Sequence, residues 1–94
     1  MLTYKAMYKY LDKGVHAEVI DYPGAIVFGN NLEDARRLLG SALVDMAETS
    51  LLLGERLPVP DSNATDPEAD LEEPIYLLLT AASRVSVIPQ AAVT

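Results

Sequence analysis

Residues 15–35 read VHAEVIDYPGAIVFGNNLEDA, and this segment contains the change from strand to helix periodicity. Residues 15–20 place Val, Ala and Val on one parity and mainly polar side chains on the other, which is the two-residue period of a β-strand. Tyr22-Pro23-Gly24 then favours a turn, because proline fixes the first turn angle and glycine accepts a positive φ. The sequence therefore predicts a strand, a turn, a third short strand over residues 25–29 and the start of a helix.

The residues before this segment predict one more strand. In residues 2–11 the tyrosines Tyr4, Tyr8 and Tyr10 occupy one parity, and Lys5 and Lys9 occupy the other. The connection Asp12-Lys13-Gly14 suits a three-residue hairpin loop, since its glycine can take the left-handed position. We therefore expect a three-stranded meander.

The residues after it predict a long amphipathic helix over residues 32–53. Asn31 has the side chain of an N-cap, and Gly54 is the expected residue beyond the last turn. The apolar face follows a period of about 3.6 residues. Its members are Leu32, Ala35, Leu39, Ala42, Leu43, Met46 and Leu53.

The C-terminal third is less regular. Residues 59–73 are rich in proline, asparagine and acids, which is typical of a mobile loop. Residues 75–82 are apolar at both parities, so strand and buried helix cannot be separated by periodicity, although we favour strand. Residues 84–88 alternate and predict the last strand, and residues 90–94 are expected to fray.

These elements indicate one α+β domain over residues 1–94, with the order β-β-β-α-β. We expect a mixed sheet carrying the helix on one face, because a right-handed crossover would make the last strand parallel to one of the first three. A single helix covers only one face. Met7, Ile20, Ile26 and Phe28 would then leave apolar surface, which a homodimer or higher oligomer would bury. The alternative is that the loop after Gly54 folds over this surface.

The charge balance limits the possible partners. Fourteen acidic residues against seven lysines and arginines give a net charge of −7, which opposes direct binding of nucleic acid. Six acids fall within 13 residues without a base: Asp61, Asp66, Glu68, Asp70, Glu72 and Glu73. They predict either a solvated loop or a docking surface for a basic protein.

Composition also limits the chemistry. The chain has no cysteine and only one histidine, so thiolate and histidine-cluster metal sites are excluded. The N-terminus lacks the pattern of a signal peptide, and no apolar run is long enough to cross a bilayer. We therefore expect a cytoplasmic protein without membrane association.

Several pieces of the sequence, taken in order, resemble the HicB-like antitoxin family. Residues 21–24 (DYPG) resemble the family's acidic residue, aromatic and Pro-Gly at the end of the second strand. Residues 29–35 (GNNLEDA) resemble its Gly-Asn strand end and its Leu-Glu-Glu-Ala helix start. Residues 57–60 (LPVP) resemble its exit from the helix. The resemblance covers roughly residues 1–60.

This resemblance implies a degraded ribonuclease H-like fold and an antitoxin that neutralises a small basic RNA-cleaving toxin of the HicA type. Many family members carry a C-terminal DNA-binding domain, which this sequence lacks, so operator binding is not expected. The alternative is a homo-oligomeric HicB-like module with a small-molecule or housekeeping role and no toxin partner.

The residues themselves argue against an enzyme or a cofactor. A ribonuclease H site needs carboxylates on the first strand to clamp two metal ions, and residues 3–11 contain none. Asp61, Asn63, Thr65 and Glu72 match a calcium-loop spacing, but Asp66 occupies the position where the sharp turn needs glycine. No catalytic motif accompanies His16, and we expect neither catalytic residues nor a metal site.

Overall fold

The computed structural model describes residues 1–81 and 84–89. The elements in chain order are β1 (Leu2–Leu11), β2 (Gly14–Val19), β3 (Ile26–Gly29), α1 (Leu32–Leu52), β4 (Leu71–Ala81) and β5 (Arg84–Ile88). The α+β class and the meander followed by one long helix are confirmed. Two strands follow the helix, and the first of them confirms the strand interpretation over residues 75–81. Residues 82, 83 and 90–94, which include the expected frayed tail, lie outside the described residues.

The five strands form one sheet in the order β3-β2-β1-β4-β5. Every neighbouring pair is antiparallel, so the predicted mixed sheet is wrong. The reason is the connection after the helix. This connection runs along the sheet from the N-terminal end of β1 to its C-terminal end. Strand β4 therefore begins opposite Tyr8 and reaches Leu2 at Leu77. The crossover rule applies to two parallel strands joined by a single returning segment. Here two segments lie between β3 and β4, namely α1 and residues 53–70, and the second reverses the direction in which the chain enters β4.

Helix α1 begins and ends at residues suited to those positions. The Asn31 side chain accepts a hydrogen bond from the Asp34 backbone N–H at 2.8 Å, and Gly54 follows the helix with a φ of +75°. The buried stripe consists of Ala35, Leu39, Leu43 and Ala47. Leu53, which the periodicity places on this stripe, is exposed. Among the described residues, no helix has the length and apolarity needed to cross a membrane.

The core lies between α1 and one face of the sheet, which we call the helix face. Alternate residues of each strand contribute to it, as the two-residue period requires. From β1 and β2 it takes Tyr4, Ala6, Tyr8, Val15, Ala17 and Val19, and from β4 and β5 it takes Ile75, Leu77 and Val85. Tyr4 packs edge-on against Tyr22, with ring centroids 5.3 Å apart. Two of the three N-terminal tyrosines are therefore core residues.

The opposite face, which we call the outer face, is crossed by residues 59–70. We call this segment the acidic strap. Met7 lies beneath it and is only 2% exposed, although it is not part of the core under the helix. The alternative that the loop covers this face therefore holds for β1. On β3, however, Ile26 and Phe28 remain 54% exposed.

Candidate functional site

Asp21 fixes the beginning of the acidic strap. Its carboxylate Oδ1 accepts a hydrogen bond from the Lys5 backbone N–H at 2.8 Å, and its Oδ2 accepts one from the Asp61 N–H at 2.9 Å. The Lys5 ammonium donates to the backbone carbonyl of Ser62 at 3.2 Å. One carboxylate thus joins β1 to the strap at the turn between β2 and β3.

Glu72 holds the middle of the strap from below. Its Oε2 accepts hydrogen bonds from the Thr65 hydroxyl at 2.7 Å and from the Asp66 N–H at 3.0 Å. These bonds favour the charged carboxylate, so the Thr65 hydroxyl and then the Asp66 N–H lower the pKa of Glu72. Nearby, Glu68 pairs with the Lys9 ammonium at 3.1 Å.

Asp70 ends the strap against β1. Its N–H donates to the carbonyl of Tyr8 at 2.8 Å, and its Oδ2 accepts from the Tyr10 N–H at 2.7 Å. Within the strap, the Asp61 carboxylate accepts from the Asn63 N–H and the Asp66 carboxylate accepts from the Glu68 N–H. These short-range bonds position the carboxylates along the backbone. The strap is therefore an anchored segment.

The structure brings five of the six predicted acids together on the outer face. They are Asp61, Asp66, Glu68, Asp70 and Glu72, and Glu18 and Asp21 lie on or beside the same face. Within the described part of the chain, Lys5 and Lys9 are the bases that contact the strap on this face. The surface is therefore strongly acidic, even though Glu68 has a base from elsewhere in the chain as a partner.

Glu73 lies apart from the other five. It belongs to β4, as Glu72 does, so the predicted loop ends at Asp70 and not at residue 73. Its register opposite Ala6 turns it to the helix face. There its carboxylate receives two hydrogen bonds from Arg36, at 2.7 and 3.0 Å. The acidic stretch itself contains no base, and Glu73 obtains its basic partner from α1.

The Arg36–Glu73 pair borders a buried tyrosine. The guanidinium carbon of Arg36 lies 5.8 Å from the centroid of the Tyr8 ring. Burial, and next the negative charge of Glu73, raise the pKa of the Tyr8 hydroxyl. The side-chain hydrogen bonds to Glu73 also raise the pKa of Arg36. The raised pKa values keep the Tyr8 hydroxyl neutral and the Arg36 guanidinium charged near neutral pH. These two groups and Glu73 form a fixed polar cluster.

This cluster closes one end of a groove between α1 and the strands β4 and β5. The groove has a volume of about 580 Å³. Its walls are mainly apolar and include Val44, Ile75 and Val87. Such a volume lies in the range of small-molecule pockets. The sequence did not predict this groove, because it depends on where the helix crosses the sheet.

A second apolar surface flanks the acidic strap. Leu11, at the end of β1, and Ile26 and Phe28, on β3, are about half exposed. His16 and Glu18 lie between them on β2, with His16 Nε2 and a Glu18 carboxylate oxygen 3.9 Å apart. Among residues 1–81 and 84–89, no three side chains form a set that could hold a metal ion.

Sequence reasoning missed the two groups that organise this site. The motif at residues 21–24 contains Asp21 but does not indicate its bonding role, and no sequence pattern indicates the role of Arg36. A carboxylate followed by a turn signals a capping role, but it does not reveal which distant N–H groups it accepts from.

The chain matches no protein-family model, no curated protein and no solved structure.

Proposed function

We propose that this chain is a protein-binding module that neutralises a small basic RNA-cleaving toxin, in the manner of the HicB-like antitoxins that residues 15–35 resemble. The observation that carries the proposal is the acidic strap. Its carboxylates are held in place before any partner arrives, so binding would cost little ordering of the strap. A basic, RNA-binding protein is the partner that such a surface attracts.

The strap and the apolar residues beside it would have different tasks. Exposed charges act mainly at long range and increase the rate of association. Most of the affinity would come from large side chains near the centre of the contact. Phe28 and Ile26 are exposed apolar residues beside the strap, and they are suited to this second task.

The test uses the small basic protein encoded beside this chain in its genome, expressed and purified separately. The chain should bind that protein and stop its cleavage of RNA. In the triple variant Asp61→Asn, Asp66→Asn and Glu68→Gln, each amide keeps an acceptor oxygen for the local bonds. We expect its association at low salt to be slower by at least about threefold, with a flatter dependence on salt.

The matched control is the triple variant Glu33→Gln, Glu48→Gln and Glu55→Gln. It changes the net charge by the same amount, but its residues lie on α1 and just after it. Equal slowing in both triple variants would show that total charge, and not the strap, attracts the partner. Absence of a basic neighbour, or RNA cleavage that the chain does not inhibit, would refute the antitoxin role.

The groove favours a second candidate function, a module that binds a small molecule. An apolar ligand with one polar end would place that end at Arg36 and Tyr8. Gly40 lies on the groove wall, 3.7 Å from Val87 when a Cβ is added. Gly40→Leu would fill the groove and abolish ligand-dependent thermal stabilisation, whereas neutralisation of a toxin at the strap would persist.

A further inference from the structure

The two edges of the sheet are protected to different degrees. Strand β5 begins with Arg84, pairs through a register shift near Leu79 and is followed by Pro89. A charge, a bulge and a proline are devices that prevent edge strands from pairing with other chains. Strand β3 has the sequence IVFG and contains none of them. Only its short length limits pairing there.

The hydrogen-bond pattern identifies the free backbone groups of β3. Among the described strands, β3 has β2 as its single neighbour. The Val19 N–H donates to the Ala25 carbonyl at 3.0 Å, which places Ala25 on the bonded side. Because bonding alternates along an antiparallel strand, Val27 also faces β2, and the N–H and C=O groups of Ile26 and Phe28 face outward.

These free groups are self-complementary. When two β3 strands pair antiparallel about an axis at Val27, Ile26 of each copy lies opposite Phe28 of the partner subunit. Residues 26 and 28 are then the bonded pairs, and four backbone hydrogen bonds form. The half-exposed side chains of the two residues also meet as apolar cross-strand pairs on the outer face.

We propose that a second copy of this chain binds at β3 and joins the two sheets into one of ten strands. Local charge permits this contact, although each chain carries −7. Residues 22–29 contain no charged side chain. Helical spacing also places the apolar residues Leu38 and Ala42 on the flank of α1 away from Gly40 and β5.

The expected dimer is weak. A half-exposed phenylalanine contributes on the order of 100 Å² of apolar surface. Two such residues from each short strand supply about 400 Å² of apolar surface, so even with the helix flanks the contact falls below about 1,200 Å², the size at which specific, stable interfaces begin. We therefore expect a dissociation constant in the micromolar range. In the dimer, Ile26 and Phe28 of both copies form one continuous apolar surface on the outer face, with an acidic strap on either side.

Sedimentation equilibrium on the purified full chain tests the proposal without any partner protein. The mass should rise from 10.2 kDa toward twice that value as the concentration passes through the micromolar range. Ile26→Pro removes one outward N–H, and Ile26→Lys places a charge in the contact. Each should weaken dimerisation at least about tenfold. Val59→Lys adds the same charge at an exposed aliphatic residue of the strap and should leave dimerisation unchanged.

Circular dichroism of the Ile26 variants establishes that they are folded, and exchange of the Ile26 and Phe28 amides in the native chain gives a second measurement. Their protection should increase with protein concentration. A wild-type chain that stays monomeric at millimolar concentration would overturn the proposal. So would Ile26 variants that dimerise as tightly as the wild type. Protection that arises only with a basic partner protein would assign the edge to that partner and would also overturn it.

Discussion

Truncation of Met7 measures how firmly the acidic strap packs on the sheet. Met7 and Leu11 share a strand and a parity, and both line a small cavity against Asp66 and Glu68. Met7 is 2% exposed and Leu11 is 46% exposed. The two side chains are similar in size and differ mainly in coverage by the strap.

The expected costs follow from this difference in burial. Met7→Ala removes a side chain whose burial is worth about 1.5–3 kcal/mol and leaves a cavity, so the free energy of unfolding should fall by about 2–4 kcal/mol. Leu11→Ala removes a half-exposed side chain and should cost about 1 kcal/mol or less. For a chain of this length the Met7 variant should melt at least about 10 °C below the wild type.

Urea denaturation of the two variants and the wild type gives the comparison, with the midpoint evaluated at constant slope. Equal losses of unfolding free energy in the two variants would refute this packing, because Met7 would then be as accessible as Leu11. Oxidation by peroxide provides an independent readout. Met1, which is 67% exposed, should react quickly and Met7 slowly.

Two further predictions concern the helix and the strap. Leu39→Asp places an unpaired carboxylate at a fully buried position and should destabilise the chain by at least about 4 kcal/mol. Leu52→Asp, at the exposed last residue of the same helix, should cost about 1 kcal/mol or less, since an acid there only opposes the helix dipole. Equal melting temperatures would show that the buried stripe is misplaced. The lowered pKa of Glu72 means that its bonds to Thr65 and Asp66 stabilise the fold above the ordinary value of 4.5 and are lost as the pH falls through the lower, folded-state pKa. The NMR shift of the Asp66 amide should therefore titrate with a midpoint below 4.5 and should lose this titration in Glu72→Gln; a midpoint at or above 4.5 would contradict the carboxylate's role.

Local sequence signals predicted the elements of this fold, but they did not predict its long-range pairing. Asn31 and Gly54 mark the helix ends because caps act through neighbouring backbone groups. The direction of β4 depends on the end of β1 at which the connection after the helix arrives, and no residue pattern in that connection predicts this end. Strand β4 begins at Leu71, within an acidic stretch whose composition is typical of a loop. The strand forms there because Glu72 bonds to Thr65 and Glu73 bonds to Arg36.

The acidic site was predicted as a set of residues and not as an arrangement. Charge counting found all six acids, since an excess of carboxylates is visible in any sequence. It could not separate Glu73 from Glu72, because adjacent residues of a strand point to opposite faces only if the strand is known to exist. Nor could it find Asp21, whose partners Lys5 and Asp61 are remote in sequence.

The central position of β1 determines when the chain can complete its sheet during synthesis. β1 is made before the other described strands, yet one of its two neighbours is β4, with Tyr8 opposite Leu71 and Leu2 opposite Leu77. A nascent chain that has finished the meander and the helix therefore still has one side of β1 without a partner. Contacts between such distant residues close slowly, and unpaired strands in incomplete chains are prone to aggregate. The protein's most vulnerable interval therefore lies between the emergence of α1 and the emergence of β4 from the ribosome.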